Sequence, residues 1–267
     1  MAHLTTARKE AILIARFTGL PDGCMTAETV AELDRLLGEA ERDSNIAAIV
    51  FAGGIPGIFI RHYSVGELAE MSNQLRQRGI RFSLDRIAPE KGFPAVARRM
   101  EELSKPVIAA IDGLCMGGGF EFALACDLRI AAAGRYALGL PEVNIGLLPG
   151  GGGTQKLPRL VGVAKALEMM MLGRTVTPDE ALRLGIVHEV VPDALARATD
   201  IAAELARKSP LALAHIKRLV RAAAGAPDAA ALGHERTLFM DLLVSDDANR
   251  LMTRMNSTSG DIRNASD

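Results

Sequence analysis

Aromatic side chains are scarce in this chain, at 4% of 267 residues, so there are few rings on which nucleic-acid bases could stack. No charge of one sign dominates either. The formal net charge of −1 leaves no basic excess to meet a phosphate backbone or an anionic membrane surface, and the arginines are spread along the chain, densest in RKEAILIAR and KRLVR. Nucleic-acid and membrane-surface roles are therefore set aside. Cysteine is rare: Cys24, Cys115 and Cys126 are an odd number without CxxC spacing, which argues against a disulfide framework or a zinc site and predicts reduced, buried thiols. No uninterrupted apolar run approaches the ~20 residues of a membrane-spanning helix. No basic-then-apolar leader is seen, and a cytoplasmic protein is expected.

What is present is a globular balance, with 49% hydrophobic and 24% charged residues. EAILIARFT (10–18) predicts a first strand. In TAETVAELDRLLGEAERD, Val30, Leu33, Leu36 and Leu37 share one face, which predicts an amphipathic helix capped by Thr26. IAAIVFAG (46–53) and PVIAAID are near-continuous apolar runs of the kind found in strands buried on both faces. Residues 53–66 form a glycine-punctuated loop leading into a helix, and residues 79–93 have no period and predict an exposed excursion, or flap. FEFALACD predicts a short apolar helix and LRIAAA a strand, whereas LPEVNIGLLPGGGGTQKLPRLVG is loop-rich. VAKALEMMMLGR is helical, with Met169, Met170 and Met171 as helix core, and Thr177 and Pro178 open another short helix. After the strand IVHEVV the chain is helical to about Asp247, followed by a polar tail. Alternating strands and helices imply an α/β fold, with residues 1–195 as its core and residues 196–267 as a helical assembly region or lid. Asp112 and Asp127 are expected to cap turns, and His188 and His215 to be structural.

Chemistry concentrates between Lys105 and Thr154. Gly117-Gly118-Gly119 lies between a buried strand and an apolar helix, where bare backbone can approach a ligand and unpaired N–H groups face it. Neither glycine cluster ends in the G-K-[ST] of a phosphate-binding loop, and GLCMGGGFE is no dinucleotide fingerprint. A carbonyl-oxyanion site built from backbone N–H groups fits better. Glu121 sits between phenylalanines inside GGGFEFALAC, and Glu142 sits in the apolar loop LGLPEVNIG. The competing readings are a buried ion pair from Glu121 to Arg129 or Arg159, and a surface position for Glu142. Together the two carboxylates suggest paired acid–base work.

The run KPVIAAIDG…GGGFEFALACDLRIA…GLPEVNIGLLPGGGGTQKLPRLVG, continuing through LGRTVTPDEALRLGIVHEVVP, resembles the enoyl-CoA hydratase/isomerase (crotonase) family. The resemblance implies a spiral of strand–strand–helix units with a C-terminal helical region that packs homotrimers or homohexamers. It implies an acyl-CoA substrate in fatty acid metabolism, with coenzyme A part of that substrate, no further cofactor and no metal. Gly118 matches one oxyanion donor. Glu121 matches the base toward water, Glu142 the acid at the α-carbon, and Gly150 a donor that positions the water. The enzyme implied is a lyase, an enoyl-CoA hydratase. The alternatives are isomerisation, retro-aldol cleavage or hydrolysis of an acyl-CoA, or a weakly active acyl-thioester-binding paralogue.

Three departures from the family pattern stand out. The second donor loop has the family form F-x-A-G-x-D, whereas Phe59-Ile60-Arg61-His62-Tyr63-Ser64 occupies it here. Arg61 would then be the donor, and Ile60, His62, Tyr63, Gly117 and Pro141 are expected around the substrate. FTGLPDGCM replaces the asparagine-arginine-proline segment that borders the coenzyme A site, and the C-terminal tail lacks a basic ending.

Overall fold

In the computed structural model, which describes residues 2–223 and 229–258, an antiparallel hairpin of β1 (Leu4–Lys9) and β2 (Ile12–Phe17) opens the chain. The expected first strand is thus only the second arm. LTTARK is exposed at every position after Leu4, so β1 carries no apolar run to betray it. Thr26 caps α1 (Ala27–Arg42) as anticipated: its hydroxyl accepts from the Thr29 amide at 3.2 Å, and the Thr29 hydroxyl accepts from the Thr26 amide at 3.1 Å.

From here the chain winds in a repeating unit. β3 (Ala48–Gly53) joins one sheet, β4 (Ile58–Ile60) joins another, and α2 (Val65–Gln77) follows. After α3 (Phe93–Glu102) the pattern returns with β5 (Val107–Ile111), β6 (Leu114–Met116) and α4 (Gly118–Ala125), and then with β7 (Leu128–Ala132) and β8 (Leu138–Gly139). The chain continues through α5 (Gly153–Val161), α6 (Val163–Met171), β9 (Thr175–Val176), α7 (Pro178–Arg183) and β10 (Glu189–Val191). The larger sheet runs β1-β2-β3-β5-β7-β10, parallel from β2 onward. The smaller runs β4-β6-β8-β9, parallel except for its last pair. Each turn therefore lays one strand in each sheet, the α/β spiral of ββα units.

Three expectations need correction here. The stretch read as loop-rich contains α5, which starts in the second glycine cluster and accommodates Pro158; its glycines and prolines mask the helix. Asp127 does more than close a turn. It accepts from the Val107 amide at 2.9 Å and pairs with Lys217 at 2.8 Å and Arg221 at 2.7 Å. His188 is structural, its ring accepting from the Arg129 amide at 3.1 Å. Of the three methionines, Met169 is core whereas Met171 is 70% exposed.

Four further helices complete the described chain: α8 (Ala194–Ala206), α9 (Pro210–Ala223), α10 (Ala229–Leu243) and α11 (Asp246–Thr258). Lys217 and Arg221, the partners of Asp127, belong to α9. Ala194, Ala198 and Ala202 of α8 pack on the face of the larger sheet formed by Ile12, Val50 and Ile108. Leu243, Ala248 and Met252 fold back on Val65 and Ala69 of α2. The polar tail beyond Thr258 lies outside the described residues. Among those described, no helix is long and apolar enough to cross a membrane.

The core centres on four phenylalanines. Phe122 of α4 meets Phe17 and Phe51 edge-on, with ring centroids 5.3 and 5.0 Å away, and leans on Phe59 at 6.2 Å. This cluster fastens α4, and with it the glycine turn, to both sheets. Phe122→Ala is expected to cost about 3–5 kcal/mol of unfolding free energy, read from a shifted urea midpoint at unchanged slope. The three thiols are buried, and burial pushes Cys24 up to about 11 and Cys126 up to about 12. At pH 8 such thiols stay protonated and unreactive. Alkylation by iodoacetamide should be slower in the folded protein than in urea by orders of magnitude.

Candidate active site

The glycine turn places the first elements. Gly117 sits at φ 50°, ψ −130°, a backbone that a side chain would strain, and its N–H donates to the Gly139 carbonyl at 2.9 Å. Helix α4 starts at Gly118, whose amide belongs to the first helical turn and has no acceptor within the helix. A Cβ on Gly119 would collide with the Ile60 carbonyl, so the turn closes directly onto the end of β4. Ile60 is fully buried and serves this packing rather than the substrate pocket expected of it.

Past Ile60 the chain runs alongside residues 23–25. The Arg61 N–H donates to the Gly23 carbonyl at 2.8 Å, the Met25 N–H to the His62 carbonyl at 2.8 Å, and the Ser64 N–H to the Met25 carbonyl at 2.7 Å. The Arg61 amide, expected as second oxyanion donor, is thereby spent inside the fold. In an extended segment successive N–H groups alternate sides. Because the His62 carbonyl and the Ser64 N–H both face Met25, the Tyr63 N–H faces the other way, toward Gly118. A Cβ on Gly118 would lie 3.4 Å from that nitrogen. The pair of amides is therefore Gly118 and Tyr63. Ser64-Val65-Gly66-Glu67 carries the S-x-x-E signature of a helix start, and it could have located this amide immediately before the Ser64 cap of α2.

Glu121 projects from the first turn of α4 and is 3% exposed. Its Oε1 accepts from the amides of Gly151 at 2.7 Å and Gly153 at 2.8 Å. The second glycine cluster is thus explained by proximity. A Cβ on Gly151 would lie 2.8 Å from Oε2, and one on Gly153 would lie 3.0 Å from Oε1. Arg129, the arginine considered as its partner, instead donates to the Ile186 and Cys126 carbonyls.

Glu142 opens the 3-10 turn Glu142–Ile145 behind Pro141 and is 7% exposed, not a surface loop residue. Its Oε1 lies 3.3 Å from where a Gly117 Cβ would be, and His62 Cβ lies 3.4 Å from the same point. The buried His62 ring contacts the Tyr63 carbonyl through Nδ1 at 2.7 Å, so that nitrogen carries the proton.

His62, Tyr63, Gly117, Gly118, Glu121, Glu142 and Gly150 converge on one cavity of about 500 Å³. Of the remaining expected residues, Ile60, Arg61 and Pro141 do not line it: Arg61 lies toward Gly23 and Cys24, and Pro141 supports the turn beneath Glu142. The walls are apolar, with Val65 and Leu68 from α2, Phe93 from α3, and Phe239 and Met240 from α10. The Phe239 ring covers Gly150 so closely that a Cβ there would lie 2.7 Å from it. No sequence signal singled out Phe239 or Met240, although a lid or an assembly element is what the all-helical C-terminal stretch suggests. The 79–93 excursion is partly exposed, yet Phe82, Ala88, Pro89 and Gly92 also line the cavity.

Residues 21–257 match the family model described as enoyl-CoA hydratase/isomerase. The short-chain-enoyl-CoA hydratase of Clostridium acetobutylicum is 34% identical over 231 residues, covering 86% of this chain and 84% of that protein. The fatty acid oxidation complex subunit alpha of Shewanella sp. (strain ANA-3) is 40% identical over 199 residues, covering 74% of this chain; the chain spans only 27% of that protein's length. The crystal structure of the Bacillus anthracis enoyl-CoA hydratase superposes with a TM-score of 0.74 at 25% identity and covers all of both chains. The chain belongs to the enoyl-CoA hydratase/isomerase (crotonase) family.

Proposed function

We propose that the chain is an enoyl-CoA hydratase that adds water reversibly across the 2,3-double bond of a 2-enoyl-CoA. The observation that carries this reading is the meeting of two buried carboxylates and two adjacent backbone amides in one apolar cavity. The thioester carbonyl oxygen would sit between the N–H groups of Gly118 and Tyr63. Such donors are worth most where negative charge develops, here on the enolate oxygen, at about 10²–10³ in rate each.

Glu121 takes a proton from water as the water oxygen bonds to C3. The π electrons shift toward the carbonyl oxygen, and Glu142 delivers a proton to C2, giving the 3-hydroxyacyl-CoA. The amides of Gly151 and Gly153 hold Glu121 in place, and Gly150 lies beside them to orient the water. Hydration leaves the overall redox level of the substrate unchanged, so no redox cofactor takes part. The presence of both carboxylates favours hydration over a simple double-bond shift, which needs only one group to move a proton.

Assembly belongs to the same proposal. Val163, Leu167 and Met171 form an exposed stripe along α6, at 67%, 50% and 70% exposure, and Leu211, Leu219 and Val220 stand exposed on α9. A homotrimer or homohexamer would cover such faces.

The test follows loss of the conjugated enoyl-thioester absorbance with 2-enoyl-CoAs of several chain lengths. Glu121→Gln and Glu142→Gln are each expected to lower kcat by about 10²–10⁴ with little change in KM. Undiminished turnover in either variant would remove that carboxylate from the mechanism, and a wild type that binds acyl-CoA without turnover would favour the binding paralogue. In solution the particle is expected to contain three or six chains, and a stable monomer at micromolar concentration would contradict the assembly.

A further inference from the structure

Tyr63, whose residue lines the cavity, is tied through its hydroxyl to Glu67, which does not line it. The Tyr63 hydroxyl donates to Glu67 Oε2 at 2.9 Å, and the same oxygen accepts from the Ala27 amide at 2.9 Å. Ala27 is the first residue of α1, so its N–H is one that the helix itself leaves unsatisfied, and a carboxylate there meets the positive end of the helix dipole. Glu67 is also anchored at its backbone, since its N–H donates to the Ser64 hydroxyl that caps α2. One carboxylate oxygen thus joins the start of α1, the start of α2 and the Tyr63 side chain. Where the family motif has aspartate this chain has Ser64, and a carboxylate is brought to the donor residue from one helical turn further on.

We infer that this Tyr63–Glu67–Ala27 connection is a positioning device for catalysis: it fixes the spacing between the Tyr63 and Gly118 amides. The inference rests on the acyl-thioester reading of the cavity. Tyr63 has little freedom to drift without changing the donor pair, because its Cβ and N lie 3.1 and 3.4 Å from where a Gly118 Cβ would be. The phenol stays protonated at neutral pH and so remains a donor, because burial and then the Glu67 carboxylate both raise its pKa. A bulky residue in a loop that is small in the family therefore has a use. Through its hydroxyl the tyrosine is tied to Glu67, and so holds its own backbone still. Displacement of a reacting group by about 1 Å can cost a hundredfold in rate, so a small release of this clamp is measurable.

The experiment compares wild type with Tyr63→Phe, Glu67→Ala and Glu67→Gln. Tyr63→Phe and Glu67→Ala should lower kcat at least tenfold while KM moves less than twofold. Glu67→Gln should stay within about threefold of wild type, because an amide oxygen can accept from both donors. The double variant Tyr63→Phe/Glu67→Ala should be no slower than the worse single variant, since both break one connection. A second readout needs no turnover: the infrared carbonyl band of bound butyryl-CoA labelled with ¹³C at the thioester carbon. This saturated ligand has no double bond to hydrate. Its band should fall to lower frequency in wild type and Glu67→Gln, and recover part of that fall in Tyr63→Phe. An unchanged band and an unchanged kcat in Tyr63→Phe would overturn the clamp while leaving the hydratase reading intact. No binding, or no band shift even in wild type, would overturn the acyl-thioester reading and the clamp with it.

Discussion

A carboxylate held at 3% exposure among phenylalanines is costly unless something satisfies it, and the way Glu121 is satisfied organises the molecule. Its Oε1 is met by the amides of Gly151 and Gly153. Backbone amides can hold an anion without quenching it as a salt bridge would, and they leave space beside it for a ligand. They can do this only if the chain approaches within hydrogen-bonding distance, and here that approach crowds out a Cβ: one on Gly151 would lie 2.8 Å from Oε2 and one on Gly153 3.0 Å from Oε1. The second glycine cluster, the start of α5 directly behind it and the anchoring of α4 through Phe122 all follow from that requirement.

The same logic repeats at the other end of the site. Gly117 supplies a left-handed turn, Gly118 an uncapped amide, and Gly119 the contact with the Ile60 carbonyl. Two glycine-rich turns thus converge from opposite sides on one cavity, one holding a carboxylate and the other presenting N–H groups. The apolar walls strengthen both, because electrostatic interactions gain where water is excluded. On the hydratase reading, this division separates the group that handles the proton from the groups that stabilise the enolate oxygen.

Much of this was legible in the chain itself, wherever a local rule decides. Thr26 and Thr177 cap helices because their hydroxyls reach amides three residues on, a relation confined to four residues. Glu121 and Glu142 stood out because carboxylates in apolar company are rare without a purpose. What could not be read depends on approach between distant segments. β1 is polar and exposed, and becomes a strand only through its hairpin partner. β4, β6 and β8 are two or three residues long, too short for any period to register, and exist because successive turns of the spiral lie side by side. The choice of Tyr63 over Arg61 as the donor residue is of this kind. Motif spacing points to Arg61, but the neighbouring segment at Gly23–Met25 takes its N–H and leaves the Tyr63 amide facing Gly118.

The cavity roof extends that dependence on distant segments to the C-terminal helices. Thr237 of α10 accepts from the Ala88 amide at 2.8 Å, and Arg236 pairs with Glu90 at 3.2 Å, so the excursion before α3 is fastened to α10. Phe239 then lies against Gly150, beside the amides that hold Glu121. Of the two roles the sequence suggests for the C-terminal helices, a lid and an assembly element, α10 has contacts that suit the first: it lines the cavity and is bonded to the excursion before α3. A Cβ on Gly233 of α10 would collide with the Ile87 side chain, so close apolar packing joins the polar bonds at that junction.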